Sequence, residues 1–468
     1  MKYKTIKLSH TNKIIQTYGV NSLMAKVIES KKIDQKQFKS FMDPHLIYHD
    51  FSLFEEADET LERIEEAIAN KEKICIYGDY DCDGILATTI LVQAFHERGV
   101  EVGYHIPNRF TDGYGLNTTR VEQMAEKGYS LIITVDNGIK AFDAVEKAGE
   151  LGIDVIITDH HAFDGEVPVA YSIIHTKMSP KYPFKEICGG FIAYKLAAAL
   201  LKHHDHYLFT LASITTISDM MPLLDENRSL VRRGLQFMKQ YKYPSLELLK
   251  GSRDYDATTI GFTIAPRINA FGRLPELVNP VYLVKYFLKE ADPAYQEKIS
   301  NYASKINSKR QSLTTSLYKE AVTDTSSPCL FYGSENMHEG LVGLVAGKYT
   351  REYEQPAFVM HYNPKEEIYK GSARGIDGFN IYNFFTHHED LFVQYGGHAK
   401  AGGFTITKSN YPLVYDALMN DIKGCHFEAS ESVIPITLTD TTISNVESLD
   451  LLAPFGEENK APLFLSLI

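Results

Sequence analysis

The feature that most restricts the fold of this 468-residue chain is a regular alternation, between residues 73 and 160, of short apolar runs and longer amphipathic segments. Four runs rich in β-branched residues predict buried strands: KICIY (73–77), VGYHI (102–106), LIITV (131–135) and VIIT (155–158). The segments between them have helical spacing and end at glycine. Such a βαβαβ series predicts an α/β fold with a parallel sheet and helices on both of its faces.

A second α/β region is predicted from residue 328 to 424, where the strand-like PCLFYG and PAFVMHY flank the helix-like GLVGLVAGKYTREY. Residues 292–325 carry a long polar helical pattern that would connect the two regions. The length allows roughly three domains. We expect the order to be an N-terminal helical leader (1–55), the first α/β domain (56–290), the connecting helix (291–325), a smaller α/β domain (326–425) and a C-terminal segment (426–468).

Acidic residues and histidines directly follow three of the four predicted strands. DYDCDG (79–84) follows the first, DNG (136–138) the third and DHH (159–161) the fourth. Ligands of open parallel sheets bind outside the carboxyl ends of the strands, so these groups should meet at one edge. Asp219, which follows the apolar segment LFTLASITTIS, is a candidate to join them.

Several carboxylates in one cleft would either take up protons or be neutralised by a cation. Aspartate oxygens together with a histidine nitrogen suit Mn²⁺ or Mg²⁺, and the imidazole favours Mn²⁺. Because more than four ligands are available, we expect two ions, an arrangement that serves phosphoester hydrolysis. An EF-hand loop would require Glu where the chain has Ile90, and simple turn or helix-cap roles would not explain acids after three strands.

These residues resemble the motifs of a known family. YGDYDCDG, ITVDNG, ITDHH and the ISD around Asp219 are similar to the four motifs of the DHH phosphoesterases. APRINAFGRL (265–274), KGSARG (370–375) and QYGGHAKAGG (394–403) resemble the RecJ branch of that family. The resemblance implies a DHH domain, a smaller DHHA1 domain joined to it by the long helix, and a C-terminal entry segment to an OB-fold domain, without the full OB barrel.

The resemblance also implies roles for individual residues. Five of them would be metal ligands: Asp81, Asp83, Asp136, His160 and Asp219. Asp136 would bridge two ions, Asp79 would be a further ligand or an orienting neighbour, and His161 would contact the scissile phosphate. Asp159 would support His160, although a strand-end cap accounts for it equally well.

RecJ proteins are single-strand-specific 5′-to-3′ DNA exonucleases, and such an enzyme needs an anion pocket for the end of its substrate. The residues at RecJ positions expected to bind the 5′ end are Arg109, Arg273, Ser372, Arg374 and His398. Tyr114 is a candidate to stack on a base. The basic segment RSLVRRGLQFMKQYKY (228–243) is more typical of a solvated helix, although it could line a DNA channel.

We therefore expect a metal-dependent exonuclease that degrades single-stranded DNA to mononucleotides in recombination and repair. One alternative is another DHH phosphoesterase, acting on short RNA or on a cyclic dinucleotide. A second is a non-catalytic DNA-binding scaffold of replication. The RecJ-like motifs favour the exonuclease over the first, and the filled ligand positions favour it over the second.

Composition agrees with an ordinary globular protein, with 44% hydrophobic and 23% charged residues. The net charge of −12 argues against a general nucleic-acid coat protein but not against a nuclease that holds metal ions with carboxylates. Five scattered cysteines and the lack of a signal-like or membrane-spanning segment predict a soluble, cytoplasmic protein. The expected partners are single-stranded DNA and a single-strand-binding protein or a helicase, with the chain itself a monomer.

Overall fold

The computed structural model describes residues 2–43, 45–163, 165–322, 326–425, 427 and 430–466. Contacts divide the chain into a large unit, Lys7–Ile306 with Ile434–Ile468, and a small unit, Met1–Ile6 with Asn307–Val433. This division is coarser than the five segments predicted from the sequence, and those boundaries stay predictions.

The strands are β1 (Lys2–Thr5), β2 (Ile74–Tyr77), β3 (Gly103–His105), β4 (Leu131–Val135), β5 (Asp154–Thr158), β6 (Ser172–Ile174), β7 (Leu330–Ser334), β8 (Ala357–Asn363), β9 (Ile368–Arg374), β10 (Gln394–Gly397), β11 (Ala401–Thr407), β12 (Ser430–Ile436) and β13 (Phe464–Ser466).

The α-helices are α1 (Thr11–Tyr18), α2 (Ser22–Ser30), α3 (Gln35–Met42), α4 (Ala57–Ala69), α5 (Cys82–Glu97), α6 (Thr118–Glu126), α7 (Phe142–Glu150), α8 (Gly189–Leu201), α9 (His206–Ser218), α10 (Asp225–Tyr241), α11 (Pro244–Lys250), α12 (Ala257–Thr259), α13 (Ala265–Arg273), α14 (Val281–Phe287), α15 (Pro293–Ala321), α16 (Val342–Tyr353), α17 (Ile381–His387), α18 (Tyr411–Ile422) and α19 (Ile443–Glu447). A π-helical turn, Ile260–Ile264, joins α12 to α13.

The large unit contains a five-stranded parallel sheet in the order β3-β2-β4-β5-β6, which confirms the predicted α/β fold. Strands β2 and β4 are buried along their whole length because helices cover both faces, which is why they read as unbroken apolar runs. From β2 the chain goes outward to β3 and then returns to β4 on the other side of β2. The strand order therefore reverses between β2 and β4, where ligands of open α/β sheets bind.

Alternate side chains of the sheet enter different layers, as the two-residue period of a strand requires. Cys75, Ile132 and Val155 belong to one core cluster together with Val121 of α6 and Val145 of α7. Helices α5, α8 and α9 pack together in another layer, and almost every side chain of α5 is buried there. Because α5 is apolar all round, it can only be a central helix.

The small unit contains a mixed sheet in the order β10-β11-β9-β8-β7. β7 and β8 are parallel and are connected by α16, whereas the other neighbours are antiparallel. A cluster rich in phenylalanine, including Phe358, Phe385 and Phe404, forms its core. The predicted strands and helix of this region are confirmed.

The predicted connecting helix is confirmed as α15, although the end of the predicted segment, residues 323–325, lies outside the described residues. The predicted leader contains α1 to α3 and, in addition, β1, which pairs in parallel with residues 430–433 of β12. In the large unit, residues 434–436 of β12 pair with β13. The OB-like character of this C-terminal segment stays a prediction.

All five cysteines are free thiols. Within the described part of the chain, none of the helices combines the length and the apolar character that a membrane span requires.

Candidate metal centre and active site

The three polar motifs of the sequence meet at the carboxyl edge of the parallel sheet, because β2, β4 and β5 are direct neighbours. Three groups of residues there could each hold a metal ion, because the ligand atoms within each group lie within 4.8 Å of one another. The groups are Asp79, Asp81 and Asp136; Asp136, His160 and His161; and Asp83, His160 and Asp219. The structure thus brings together all seven residues that the sequence places at a metal centre.

The turn after β2 is shaped by the start of α5. Asp81 is the N-cap of α5 and accepts a hydrogen bond from the Gly84 N–H at 3.1 Å. Asp83, in the first turn, accepts from the Gly189 and Gly190 N–H groups at 2.8 and 2.7 Å. These two amides begin α8, so two helix N-termini stabilise negative charge in this loop.

Asp136 lies at a sharp turn directly after β4. Its φ of 63° is in the left-handed region, which non-glycine residues rarely adopt, although Asp and Asn tolerate it best. The neighbouring Asn137 holds the turn, because its Nδ2 donates to the carbonyl oxygens of Tyr77 at 3.1 Å and Val135 at 2.9 Å. The ends of β2 and β4 are therefore tied together beside the Asp136 carboxylate, which is only 2% exposed.

Asp159 supports His161, which corrects the expectation that it would support His160. Its Oδ1 lies 2.8 Å from Nδ1 of His161, and it reaches only the backbone N–H of His160, at 2.7 Å. Its Oδ2 accepts from the Ile139 N–H at 3.0 Å. Asp159 is thus fully occupied by hydrogen bonds, as expected for a group that orients a neighbour.

His160 is close to three carboxylates. Its Nε2 lies 3.1 Å from Oδ1 of Asp136, 3.4 Å from Oδ2 of Asp219 and 3.9 Å from Oδ2 of Asp83. Asp219 enters from a different direction, as the C-cap of α9. The cluster therefore joins three strand ends of the sheet and one helix end.

The crowding of these acids changes their pKa values strongly. Burial, followed by the charge of Asp81, raises the pKa of Asp79 to about 8 and that of Asp83 to about 6. Burial and neighbouring carboxylates also raise the pKa values of Asp136 and Asp219 well above the usual range. Without a cation the cluster would hold protons.

The pKa values of the two histidines shift in opposite directions. Burial, followed by the charge of His161, lowers the pKa of His160 to about 3, so its imidazole is neutral, the form that binds metal ions. Burial also acts to lower the pKa of His161, but the charge and hydrogen bond of Asp159 outweigh it and raise that pKa to about 9. His161 is therefore a cation at neutral pH.

The donor set fits divalent metal ions. Four buried ligand atoms form no hydrogen bond of acceptable geometry with the described residues, although two of them, Nε2 of His160 and Oδ1 of Asp136, lie 3.1 Å apart. The four atoms are Oδ1 of Asp79, Oδ1 of Asp136, Nε2 of His160 and Oδ2 of Asp219. Buried polar atoms are nearly always paired, and leaving one unpaired costs about 1–3 kcal/mol. Unpaired atoms that converge on a neutral imidazole and several carboxylates match the coordination chemistry of Mn²⁺ or Mg²⁺.

Sequence reasoning missed several residues that shape the backbone of this site. A Cβ atom on Gly189 would lie 2.5 Å from Cβ of Asp136, so only glycine lets α8 start there. In APRINAFGRL, Oδ1 of Asn269 accepts from the Cys82 N–H at 2.8 Å, and a Cβ on Gly272 would lie 2.0 Å from the Tyr80 carbonyl oxygen. The motif was visible in the sequence, but its structural task, holding the DYDCDG turn, was not.

Three of the predicted substrate-binding residues lie in the large unit. The guanidinium of Arg109 stacks on the Tyr80 ring at 4.2 Å, and its Nε is buried without a partner among the described residues. Arg273 ends α13, and both arginines lower the pKa of Tyr80, although burial raises it overall. The Tyr114 hydroxyl lies 3.1 Å from Nε2 of His161, and Tyr114 is 53% exposed.

The other three, Ser372, Arg374 and His398, lie in the small unit. Ser372 and Arg374 are on β9, and antiparallel pairing places them opposite Gly403 and Ala401 of β11. KGSARG and the end of QYGGHAKAGG are therefore neighbours in one sheet. Nη1 of Arg374 donates to Oγ of Ser372 at 2.6 Å, and His398 is an exposed residue of the hairpin between β10 and β11.

The parallel sheet, with aspartates and histidines at its carboxyl edge, is the arrangement expected of the DHH family. The profile of the DHH family, N-terminal domain, matches residues 73–218, and that of the DHHA1 domain matches residues 326–424. The chain belongs to the RecJ family of single-stranded-DNA-specific exonucleases.

Two relatives support this membership by sequence. The single-stranded-DNA-specific exonuclease RecJ of Bacillus subtilis (strain 168) is 35% identical over 422 residues, which cover 86% of this chain and 53% of the relative. RecJ of Dickeya dadantii (strain 3937) is 30% identical over 458 residues, covering 89% of this chain and 78% of the relative. The chain thus spans about half the length of the first relative.

Solved structures agree. RecJ from Thermus thermophilus, in complex with Mn²⁺, matches 99% of this chain and 69% of its own with a TM-score of 0.85 and 26% identity. A second structure, of an exonuclease RecJ bound to manganese, covers 82% of this chain and 97% of its own, with a TM-score of 0.68 and 27% identity.

Proposed function

We propose that this chain hydrolyses the phosphodiester bonds of single-stranded DNA from the 5′ end, with two divalent ions, Mn²⁺ or Mg²⁺, and releases mononucleotides. The proposal rests on one observation. Buried oxygen and nitrogen ligand atoms that have no hydrogen-bond partner among the described residues meet at the carboxyl edge of the sheet, where the strand order reverses. Membership of the RecJ family, whose members are named single-stranded-DNA-specific exonucleases and include a structure in complex with Mn²⁺, supports it.

Five residues would hold the ions: Asp81, Asp83, Asp136, His160 and Asp219. Asp136 is assigned as the bridging ligand because it belongs both to the group with Asp79 and Asp81 and to the group with the histidines. When bound, the ion pair would supply Lewis-acid stabilisation of the phosphate and lower the pKa of a water molecule. Asp79 is assigned as an orienting neighbour of the ligands, and its buried Oδ1 has no hydrogen-bond partner among the described residues.

The chain's own groups position and polarise the phosphate. Asp159 holds Nδ1 of His161, so the protonated ring donates from Nε2 to a phosphate oxygen as negative charge develops there. The Tyr114 hydroxyl lies 3.1 Å from this Nε2 and contacts the ring. The exposed face of Tyr114 stacks on a base beside the scissile bond.

The arginines select the 5′ end. Arg109 has a preorganised guanidinium, stacked on Tyr80, with a buried Nε that lacks a partner among the described residues and can donate to a terminal phosphate. We assign Arg273 and, from the small unit, Ser372, Arg374 and His398 to the same task.

The proposal includes a cellular setting. The enzyme works as a monomer in the cytoplasm, in recombination and repair, on strands supplied by a helicase or covered by a single-strand-binding protein. The family membership supports the chemistry of the substrate, and the setting follows from the task of such a nuclease.

The test is digestion of a single strand labelled at either end, with Mn²⁺ or Mg²⁺ and the full chain, beside a duplex and an RNA of the same sequence. We expect labelled mononucleotide to appear first from the 5′ label and duplex DNA to resist. Asp136→Asn, which retains the tolerance for a left-handed turn, is the inactive control. Products released first from the 3′ end, or equal activity in the control, would contradict the proposal.

A further inference from the structure

The large unit contains a cavity of about 200 Å³ whose lining includes three arginines. Arg228, Arg232 and Arg233 of α10 line it together with Asp43 and His45, which follow α3. None of these residues belongs to the metal centre. The chain has a net charge of −12, yet three arginines concentrate positive charge around this one cavity. Such a concentration of charge attracts an anionic ligand or partner.

Arg228 is the buried member of the cluster, at 5% exposure. Its Nη2 donates to the carbonyl oxygens of Leu451 and Ala453, both at 2.9 Å, and its guanidinium lies 4.4 Å from the centre of the Phe41 ring. Its Nε is buried and has no hydrogen-bond partner among the described residues. These contacts fix the position of the guanidinium without neutralising its charge.

Three other half-buried or buried arginines of the large unit each lie beside a carboxylate. Arg63 lies 2.8 Å from Glu72 and 2.7 Å from Asp154, Arg98 lies 2.6 Å from Glu65, and Arg120 lies 2.8 Å from Asp112. Within the described chain, by contrast, Arg228 has no carboxylate at ion-pair distance. Burial, followed by the charge of Arg232, lowers the Arg228 pKa to about 10, which reflects the same lack of compensation.

The single carboxylate in the lining does not balance three arginines. Oδ1 of Asp43 is engaged by His45, whose N–H lies at 2.8 Å and whose Nδ1 lies at 2.7 Å. Arg232 reaches only the carbonyl oxygen of Asp43, at 3.2 Å, and Arg233 is exposed. The cavity therefore presents an excess of positive charge, of which the Arg228 guanidinium is held in place.

We propose that this cavity is a binding site for a phosphate group, separate from the metal centre. Guanidinium forks match the oxygens of phosphate, and a dianion balances two arginines where a carboxylate balances one. The Ser229 hydroxyl accepts from the Ile47 N–H at 3.1 Å, which leaves its own proton to donate into the cavity. A volume of about 200 Å³ lies below the ~300–1,000 Å³ typical of whole-ligand pockets, so the site takes the phosphate rather than a complete dinucleotide.

The phosphate can come from a free nucleotide or from a phosphodiester of a DNA strand, because both present the same oxygens. The site does not depend on the nuclease assignment, since it uses none of the proposed catalytic residues. A binding measurement can therefore succeed or fail independently of activity.

The test is titration calorimetry of the full chain at constant ionic strength with inorganic phosphate, thymidine 5′-monophosphate and an oligothymidylate without a terminal phosphate. The variant is Arg232→Gln with Arg233→Gln, which keeps helix-favouring side chains. The matched control is Arg253→Gln, an exposed arginine outside the cavity. Circular dichroism and a second variant, Arg233→Gln alone, separate loss of binding from loss of folding.

We expect at least one phosphate ligand to bind about tenfold or more weakly to the double variant than to the wild type and the control. Preference for the monophosphates would identify a nucleotide site, and preference for the oligothymidylate would identify a contact with the strand. The proposal would be overturned if the phosphate ligands bound equally to the wild type, the double variant and the control, or did not bind to the wild type. It would also be overturned if sodium glutamate, an anion without phosphate, bound as tightly as they do.

Discussion

The polar groups of the two units differ in how well the protein itself satisfies them. In the large unit, four buried ligand atoms at the sheet edge have no partner among the described residues. In the small unit, Arg374 donates to Ser372 and to the Ala373 carbonyl oxygen, and Ser372 donates to the Gly402 carbonyl oxygen. The first arrangement needs bound cations to relieve its charge, whereas the second is held ready by hydrogen bonds.

The difference follows from position in the sheet. Parallel strand ends gather loops whose side chains can converge without pairing, and helix N-termini tolerate the resulting negative charge. Ser372 and Arg374 instead lie on a strand with hydrogen-bonded neighbours on both sides. A site at strand ends can therefore concentrate charge, while a site within a strand fixes the orientation of individual side chains.

The largest expected effect comes from removing one charge of the metal centre. We expect Asp136→Asn to lower nuclease activity about 10³-fold or more, because it removes the proposed bridging ligand. The free energy of unfolding without metal should rise by about 1 kcal/mol, since a buried, crowded carboxylate is gone. Initial rates and melting in EDTA measure both, with the exposed Asp58→Asn as control. A destabilised variant would show that the acids are satisfied without cations.

The next effect concerns pH. The pKa values of Asp79 and Asp83 rise from 3.8 to about 8 and about 6, so the metal-free folded state keeps protons that the unfolded chain releases. Its stability should therefore fall as pH rises through this window. Bound ions displace these protons, so Mn²⁺ affinity should rise about 10²-fold from about pH 6 to about pH 8. Calorimetry in two buffers of different ionisation enthalpy would detect the proton release, and a pH-independent affinity would contradict it.

A smaller effect is expected from a methyl group at the start of α8. Gly189→Ala places a Cβ within 2.5 Å of the Asp136 Cβ, so the carboxylate must shift. We expect activity to fall about 10- to 100-fold, as for other changes that displace a metal ligand. Gly149→Ala in α7 is the matched control, because nothing lies within 4 Å of its Cβ among the described residues. Equal activity in the two variants would mean that the amides of α8 do not position the site.

The smallest effect is expected in the small unit. Arg374→Lys keeps the charge but loses the planar fork that reaches Ser372. The KM for 5′-phosphorylated strands should rise about tenfold, with less change in kcat and little change for strands with a 5′-hydroxyl. The exposed Arg351→Lys on α16 is the control. A fall in kcat alone would assign Arg374 to the chemistry instead of the strand's end.

Much of the fold was predictable because its signals are local. Apolar runs located β2 to β5, and helical spacing located α5 to α7 and α15. The acidic cluster followed from one topological rule about strand ends. The partner of Asp159 was predicted wrongly, because two adjacent histidines look alike in sequence and only the turn decides which ring it reaches.

The sequence by itself determined which side chains could bind metal ions and that they would meet at one edge of a parallel sheet, since residue type indicates the first and the βαβ pattern indicates the second. Only the tertiary structure decided that amides of Gly189 and Gly190 stabilise Asp83, that Asn269 holds the Cys82 backbone, and that three arginines share a cavity. The physical reason is that the sequence does not show which backbone N–H group will donate to which side chain, or how closely two helices will approach. They arise only when distant segments pack together.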